Sequence, residues 1–204
     1  MEQTSFAQKV ASTLNAIAPI YKQKLIDYEY LIYSSGLKER FYYIISSSED
    51  NFMHLTGLRH RDPNKFFSKC LTAGMQESDI IIPNTSIKGS VRRKIAALPS
   101  LVCLFDSPCF IQENLSKNKV VCSFASSNNV VTIGFCSPNE ENVVKPMSLL
   151  KGNELDASLT LNSEIILKRK KGNKLFNTII QGTKDDIEKA NLSKLVDFNN
   201  LKHD

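Results

Sequence analysis

Apolar residues recur at helical spacing through the first part of the chain. From Phe6 to Ile32 they return every three or four positions, which is the period of an amphipathic helix. Pro19 lies within this run, so a kink or a break into two helices is expected there. The pattern predicts an N-terminal helical layer over residues 5–34, which Gly36 ends.

The rest of the chain alternates short apolar runs with turn residues. Runs rich in β-branched and aromatic residues, bounded by Gly, Pro, Asn or Ser, are typical of strands. The predicted strands cover residues 40–47, 51–58, 119–125, 130–136, 143–151, 164–168 and 175–180. The predicted helices cover residues 63–75 and 86–98, and a terminal helix begins at Thr183.

These elements predict an α+β fold. We expect an antiparallel sheet of about five to seven strands, with helices on one side and the N-terminal helical layer beside it. The expected division is an N-terminal helical segment at residues 1–36, a main α+β domain at 37–182, and a C-terminal helix and tail at 183–204. A chain of 204 residues is long enough to bury one such core.

The segment from Asn51 to Asp62 concentrates candidate chemistry. It holds two of the three histidines of the chain, together with two arginines. If residues 51–58 form a strand, His54 and Thr56 point to the same face. Arg59, His60 and Arg61 would then follow in a loop, which Asp62 closes by capping the next helix. A structural role for His54, as a hydrogen-bonded strand residue, remains an alternative.

Positive charge is concentrated rather than spread along the chain. The formal net charge is +5, and residues 86–105 carry Lys88, Arg92, Arg93 and Lys94 with no acidic residue. Residues 164–174 hold five basic residues against one acid. Such clusters often do no more than keep a protein soluble, but two of them together with the 59–61 loop favour a nucleic-acid partner. Lys88 and Arg92 are one helical turn apart and can reach one common anion.

Several common enzyme classes lack their motifs here. The five cysteines form no CxxC pair, and the three histidines are not spaced as metal ligands. The phosphate-binding loop GxxxxGK[ST] and the serine elbow GxSxG are also missing. We therefore expect no metal and no cofactor. No apolar run approaches the length of a membrane span, so a cytoplasmic protein without membrane contact is expected.

The run NFMHLTGL, followed by NKFFSKCL and then by the basic helix SIKGSVRRKIAAL, resembles phage-type members of the barnase, EndoU, colicin and RelE-like nuclease superfamily. The resemblance is sharpest over residues 51–75. It implies a small α+β nuclease that cleaves RNA without a metal ion, usually as a toxin or antiphage protein. RNA is the implied substrate, and a protein inhibitor or antitoxin is a further partner to look for.

The resemblance also implies site residues. His54 and Thr56 match the HLTG string, Lys88 lies in the helix that follows, and Ser148 lies late in the sheet, where such nucleases often carry a hydroxyl. These four are the predicted catalytic residues. The predicted RNA-binding residues are Arg59, His60, Arg61, Arg92 and Arg93.

Two questions stay open at this stage. Histidine suits proton transfer in RNA cleavage, yet catalysis mainly by Arg and Lys, as in RelE-like proteins, is equally consistent. The chain also lacks the two-histidine pattern of EndoU, because only His60 is available as a second histidine within the resembling region. The alternative function is a non-catalytic RNA-binding or protein-interaction module with the same fold.

Overall fold

The computed structural model describes residues 5–82, 85–117, 120–137 and 142–204. For residues 85–87 it describes the backbone alone. The α-helices of the described part are α1 (Phe6–Tyr21), α2 (Glu49–Thr56), α3 (Pro63–Leu71), α4 (Thr85–Leu101) and α5 (Lys184–Lys189). The fold is therefore α+β, as predicted. None of the described helices is both long and apolar enough to cross a membrane.

The strands of the described residues join in a single sheet. They are β1 (Tyr28–Tyr33), β2 (Tyr43–Ser46), β3 (Phe110–Lys117), β4 (Val120–Ser127), β5 (Val131–Cys136), β6 (Val143–Lys151), β7 (Leu161–Asn162), β8 (Ile165–Lys170), β9 (Thr178–Gln181) and β10 (Lys202–His203). Their order across the sheet is β10-β9-β8-β1-β2-β6-β5-β4-β3-β7.

The sheet is larger than predicted and not purely antiparallel. β2 runs parallel to β6, and β10 runs parallel to β9. The chain also passes from β7, at one end of the sheet, into β8 through Ser163 and Glu164 alone. Two intervening residues span at most about 10 Å, so this end of the sheet must curl back toward β8.

The sheet buries apolar residues on both faces. Tyr30, Ile32 and Ile166 face a large core that α1, α2, α3 and α4 cover. Leu31 lies between two of these residues in sequence and points the other way, into a second core under α5 and the C-terminal segment. The prediction of helices on one side is therefore wrong. A strand buried on both faces has a near-continuous apolar run, and residues 165–167 of β8 form such a run.

The predicted N-terminal helix is too long. α1 has Ser5 as its N-cap and Pro19 within its last turn, and a single π-helical stretch, Lys22–Ile26, follows it. Tyr28–Tyr33 then forms β1, between β2 and β8. The residues YEYLIY are aromatic and β-branched, and their strand propensity together with two-sided burial prevails over the helical spacing.

The predicted strand over residues 51–58 is also wrong, because this segment is α2. Ser48 precedes the helix, and the Oδ1 atom of Asn51 accepts a hydrogen bond from the Ser48 backbone N–H at 2.9 Å. Gly57 ends the helix in the left-handed conformation with φ 73°. Phe52 and Leu55, three residues apart, are fully buried. These are start, stop and spacing signals of a helix, so the predicted shared strand face for His54 and Thr56 does not exist.

Other predicted elements are confirmed. α3 begins after Asp62, whose Oδ1 accepts hydrogen bonds from the N–H groups of Asn64 and Lys65. The β4–β5 and β8–β9 hairpins form, and the predicted strand at 143–151 is β6. Thr183 caps α5 as predicted, although that helix ends at Lys189. The predicted cap at Ser86 lies outside the described side chains.

Candidate active site

α4 presents three different faces to the rest of the protein. Val91, Ile95 and Leu98 are buried in the main core, as the predicted apolar stripe requires. On one flank, the Lys88 ammonium and the Arg92 guanidinium lie 5.4 and 5.5 Å from the centre of the Phe6 ring on α1. These two cations thus lie over the same ring, on the flank of α4 that faces α1, and their binding of one common anion stays a prediction.

The opposite flank of α4 forms the wall of a cleft. Ser90, Arg93 and Lys94 recur at positions i, i+3 and i+4, so they share one side of the helix. They face the end of β6 and the start of β4 across a space of about 600 Å³. The cleft is lined by Ser90, Arg93, Lys94, Val120, Ser148, Leu149, Leu150, Lys151 and Glu154.

The sheet supplies Ser148 because of how β6 is paired. β6 pairs with β2 only at Val143 and Val144, and β6 also packs against α2 and α4. On its other side β6 pairs with β5, where the register shifts next to Gly134. Ser148 lies directly opposite Gly134 and is 8% exposed. Its hydroxyl thus lies at the floor of the cleft, beside a residue with no side chain.

Lys94 is the most unusual cation of the cleft. Its aliphatic stem packs against the end of α2, since a Cβ atom added to Gly57 would lie 3.0 Å from the Lys94 Cδ. Burial lowers the pKa of the Lys94 ammonium below its ordinary value. Among the described residues, no hydrogen bond or ion pair compensates this ammonium. A half-buried, uncompensated cation is costly, and such groups are concentrated at functional sites.

The charge balance of the cleft favours an anion. Arg93 and Lys151 are exposed at its mouth, and Lys94 lies deeper. Glu154 is the carboxylate among the described lining residues, and its Oε2 lies 3.1 Å from the Nζ of Lys117 outside the cleft. Three cations therefore face one already paired acid, together with two serine hydroxyls. A phosphate group fits this combination of charge and hydrogen-bond donors.

The two HLTG residues are placed differently from each other. His54 is exposed on α2, one turn before Gly57, and is not among the described residues that line the cleft. Thr56 is 0% exposed, and its hydroxyl donates a 2.7 Å hydrogen bond to the Met53 carbonyl while accepting one from the Leu58 N–H. The Thr56 hydroxyl is thus occupied in shaping the end of α2.

The 59–61 loop does not line the cleft. Arg59, His60 and Arg61 are all exposed. The His60 ring lies 6.0 Å from the Phe66 ring on α3, and its Nδ1 is bonded to the backbone of Asp62. These residues therefore extend the basic surface on the α3 side, apart from Ser148.

Sequence reasoning predicted two of the nine described residues that line the cleft. Ser148 and Arg93 were predicted, and the structure brings these two residues together. Lys94 was counted only as part of a basic run, although its spacing from Ser90 is the signal that could have singled it out. Lys151 and Glu154 had no such signal, because only the packing of α4 against β6 brings them to the cleft. In the described part of the chain no three His, Cys, Asp or Glu side chains cluster as a metal site would need.

Comparison with known proteins gives one match. A family model described as phage-Barnase-EndoU-ColicinE5/D-RelE like nuclease4 matches residues 13–180. Searches of curated proteins and of solved structures found no match. The matched range runs from α1 into β9 and contains every residue that lines the cleft. The chain therefore belongs to the phage-Barnase-EndoU-ColicinE5/D-RelE like nuclease family, which confirms the resemblance seen in the sequence.

Proposed function

We propose that this chain is a metal-independent endoribonuclease that cleaves RNA in the cleft between α4 and β6. Membership of a nuclease family supports phosphodiester cleavage. The observation that carries the proposal is Lys94, a half-buried ammonium without a described partner, in a cleft whose other cations and hydroxyls suit a phosphate. An RNA phosphate would supply the charge that this ammonium lacks.

The proposed reaction is attack of the RNA 2′-hydroxyl on the adjacent phosphorus. Arg93 and Lys151, at the mouth of the cleft, hold the phosphate by charge. Lys94 stabilises the negative charge that develops on the phosphate oxygens and, because its pKa is lowered, donates a proton to the leaving 5′-oxygen more readily than an ordinary lysine. Glu154 and His54 are the two candidates for accepting the 2′-hydroxyl proton.

The other predicted residues take different places in this proposal. Ser148 donates a hydrogen bond to the bound phosphate from the floor of the cleft. Lys88 and Arg92 contact RNA beyond the scissile bond, over the side of α4 that faces α1. A catalytic role for Thr56 stays a prediction, and it would require the buried hydroxyl to leave the Met53 carbonyl.

The test is cleavage of total RNA by the purified protein in the presence of EDTA. The expected result is cleavage that survives chelation and leaves 2′,3′-cyclic phosphate ends. Lys94→Met should lower the single-turnover rate by about 10²-fold or more, as loss of a transition-state donor does. Lys184→Met, on α5 behind the other face of the sheet, is the matched control and should cleave at the wild-type rate.

Two results would contradict the proposal. Activity abolished by EDTA and restored by Mg²⁺ would exclude metal independence. A protein that binds RNA through Lys94 but never cleaves it would favour the non-catalytic module, and its affinity should then depend on salt.

We also propose that the RNA cleavage serves as a toxin. The family description names colicin and RelE-like proteins, which supports this role. Induced expression should arrest bacterial growth, whereas Lys94→Met expressed to the same level should not. Equal growth arrest by both forms would show that the cleft is not the source of toxicity.

A further inference from the structure

Two of the five cysteines lie side by side behind the cleft. Cys122 is on β4 and Cys136 ends β5, and these strands are neighbours in the sheet. The Cys122 Sγ lies over Gly134, two residues before Cys136 on β5, and the Cys136 Sγ lies 3.7 Å from the carbonyl oxygen of Val121, the residue before Cys122. Adjacent strands are about 5 Å apart, within the span of about 4.4–6.8 Å between Cα atoms that a disulfide bridges.

Gly134 makes this arrangement possible. A Cβ atom added at Gly134 would lie 2.5 Å from the Cys122 Sγ, so only glycine leaves room for the sulfur there. The Ser123 hydroxyl also donates a 3.2 Å hydrogen bond to the Phe135 carbonyl, which joins the backbones next to the two thiols. Gly134 and the Ser123–Phe135 hydrogen bond thus fix the positions of the two strands around the thiols.

The thiols are connected to the cleft through their strands. Val120, two residues before Cys122, lines the cleft, and Gly134 lies directly opposite Ser148. We therefore expect a movement of the Cys122 side chain over Gly134 to shift Ser148 and Val120 in the cleft. The other cysteines have no such position: Cys70 and Cys109 are buried elsewhere, and Cys103 is exposed near Lys24.

We propose that Cys122 and Cys136 form a reversible disulfide that reshapes the floor of the cleft. The oxidant is a peroxide. The Cys136 thiolate attacks a peroxide oxygen, so an S–O bond forms, the O–O bond breaks, and the released hydroxide becomes water. The Cys122 sulfur then attacks the Cys136 sulfur, the S–O bond breaks, and hydroxide leaves with the Cys122 proton as water. Two thiols and one hydrogen peroxide thus give one disulfide and two waters.

The order of attack follows from exposure. Cys136 is half-exposed and accessible to a small oxidant, whereas Cys122 is buried. Burial raises the pKa of the Cys122 thiol to about 12, so this residue is protonated at neutral pH and reacts second. Because a covalent S–S bond is shorter than a contact between two sulfurs, the side chains must approach each other, and Cys122 moves from its position over Gly134.

The test is a thiol count on the full chain, unfolded after peroxide treatment. Wild type should fall from five free thiols to three, lose about 2 Da, and regain both thiols with dithiothreitol. Cys136→Ser should form no intramolecular disulfide, whereas Cys103→Ser, the matched control, should still lose two thiols. Peptide mapping should link Cys122 to Cys136, and Cys122→Ser should repeat the result of Cys136→Ser.

The inference fails if the thiol count of wild type does not change, if mapping links another pair, or if Cys136→Ser still forms the disulfide. A second readout rests on the proposed function: oxidation should lower RNA cleavage by up to about 10²-fold, as a displacement of about 1 Å at a reacting centre can. The thiol count does not depend on nuclease activity, so it tests the disulfide even if the protein never cleaves RNA.

Discussion

Lys94→Met should make the protein more stable while it destroys activity. Methionine keeps an unbranched stem of similar length, so packing against Gly57 is retained and only the ammonium is lost. At neutral pH the native state holds this charge half-buried, with no hydrogen-bond or ion-pair partner among the described residues, whereas the unfolded chain solvates it. Removing it should raise the free energy of unfolding by about 0.5–2 kcal/mol, the usual size of a single stabilising substitution.

The gain in stability should depend on pH in a defined direction. Burial lowers the pKa of Lys94 in the native state below its ordinary value of 10.5, so the native state binds this proton less tightly than the unfolded state. The cost of the charge is therefore fully present below the native pKa. It disappears as pH rises through the native pKa toward the unfolded value. The Tm difference between Lys94→Met and wild type should accordingly be largest at neutral pH and shrink in alkaline buffer.

The assay pairs thermal unfolding at several pH values with single-turnover RNA cleavage. For a chain of this size, each 1 kcal/mol should shift Tm by roughly 2–4 °C. A Tm that falls at every pH, with cleavage unchanged, would mean that Lys94 is a packing residue. A Tm rise that does not change with pH would refute the role of the buried charge.

Two further predictions concern backbone and charge. Gly57→Ala should lower Tm, because an alanine is strained at φ 73°, and should also slow cleavage, because the new methyl group displaces Lys94. Gly172→Ala is the control: Gly172 has φ 93° and no neighbour near its Cβ position, so this change should lower Tm without slowing cleavage. Arg169 contacts Glu29 at 2.8 Å with both side chains largely buried, so Arg169→Met should cost about 3–5 kcal/mol in urea unfolding. Adding Glu29→Gln should recover part of that loss, and purely additive losses would contradict a coupled pair.

Local sequence signals determined much of this fold. Asp62 and Thr183 are N-caps in the structure, as their side chains and positions predict. The β4–β5 hairpin follows from two β-branched runs around a Ser-Asn turn. These features depend on residues close together in sequence, which is why the pattern of side chains suffices.

The two wrong elements show where local patterns compete. In α2 the alternation of Phe52, His54 and Thr56 suggested a strand, but Asn51 and Gly57 carry the helix signals at its two ends. The apolar residues of β1 also fit helical spacing, but their burial on both faces of the sheet favours a strand. In α2 local helix signals thus prevailed over a short alternation, whereas in β1 tertiary packing prevailed over helical spacing.

The candidate site depended on the tertiary structure still more strongly. The sequence by itself indicated a basic helix, a hydroxyl late in the sheet and a nuclease family. It could not show which flank of α4 faces Ser148, because that follows from how α4 packs against β6. Lys94 and Lys151 are 57 residues apart in sequence, and only the packing of α4 against β6 makes them walls of one cleft. Long-range strand pairing sets that distance, and no local pattern of residues encodes it.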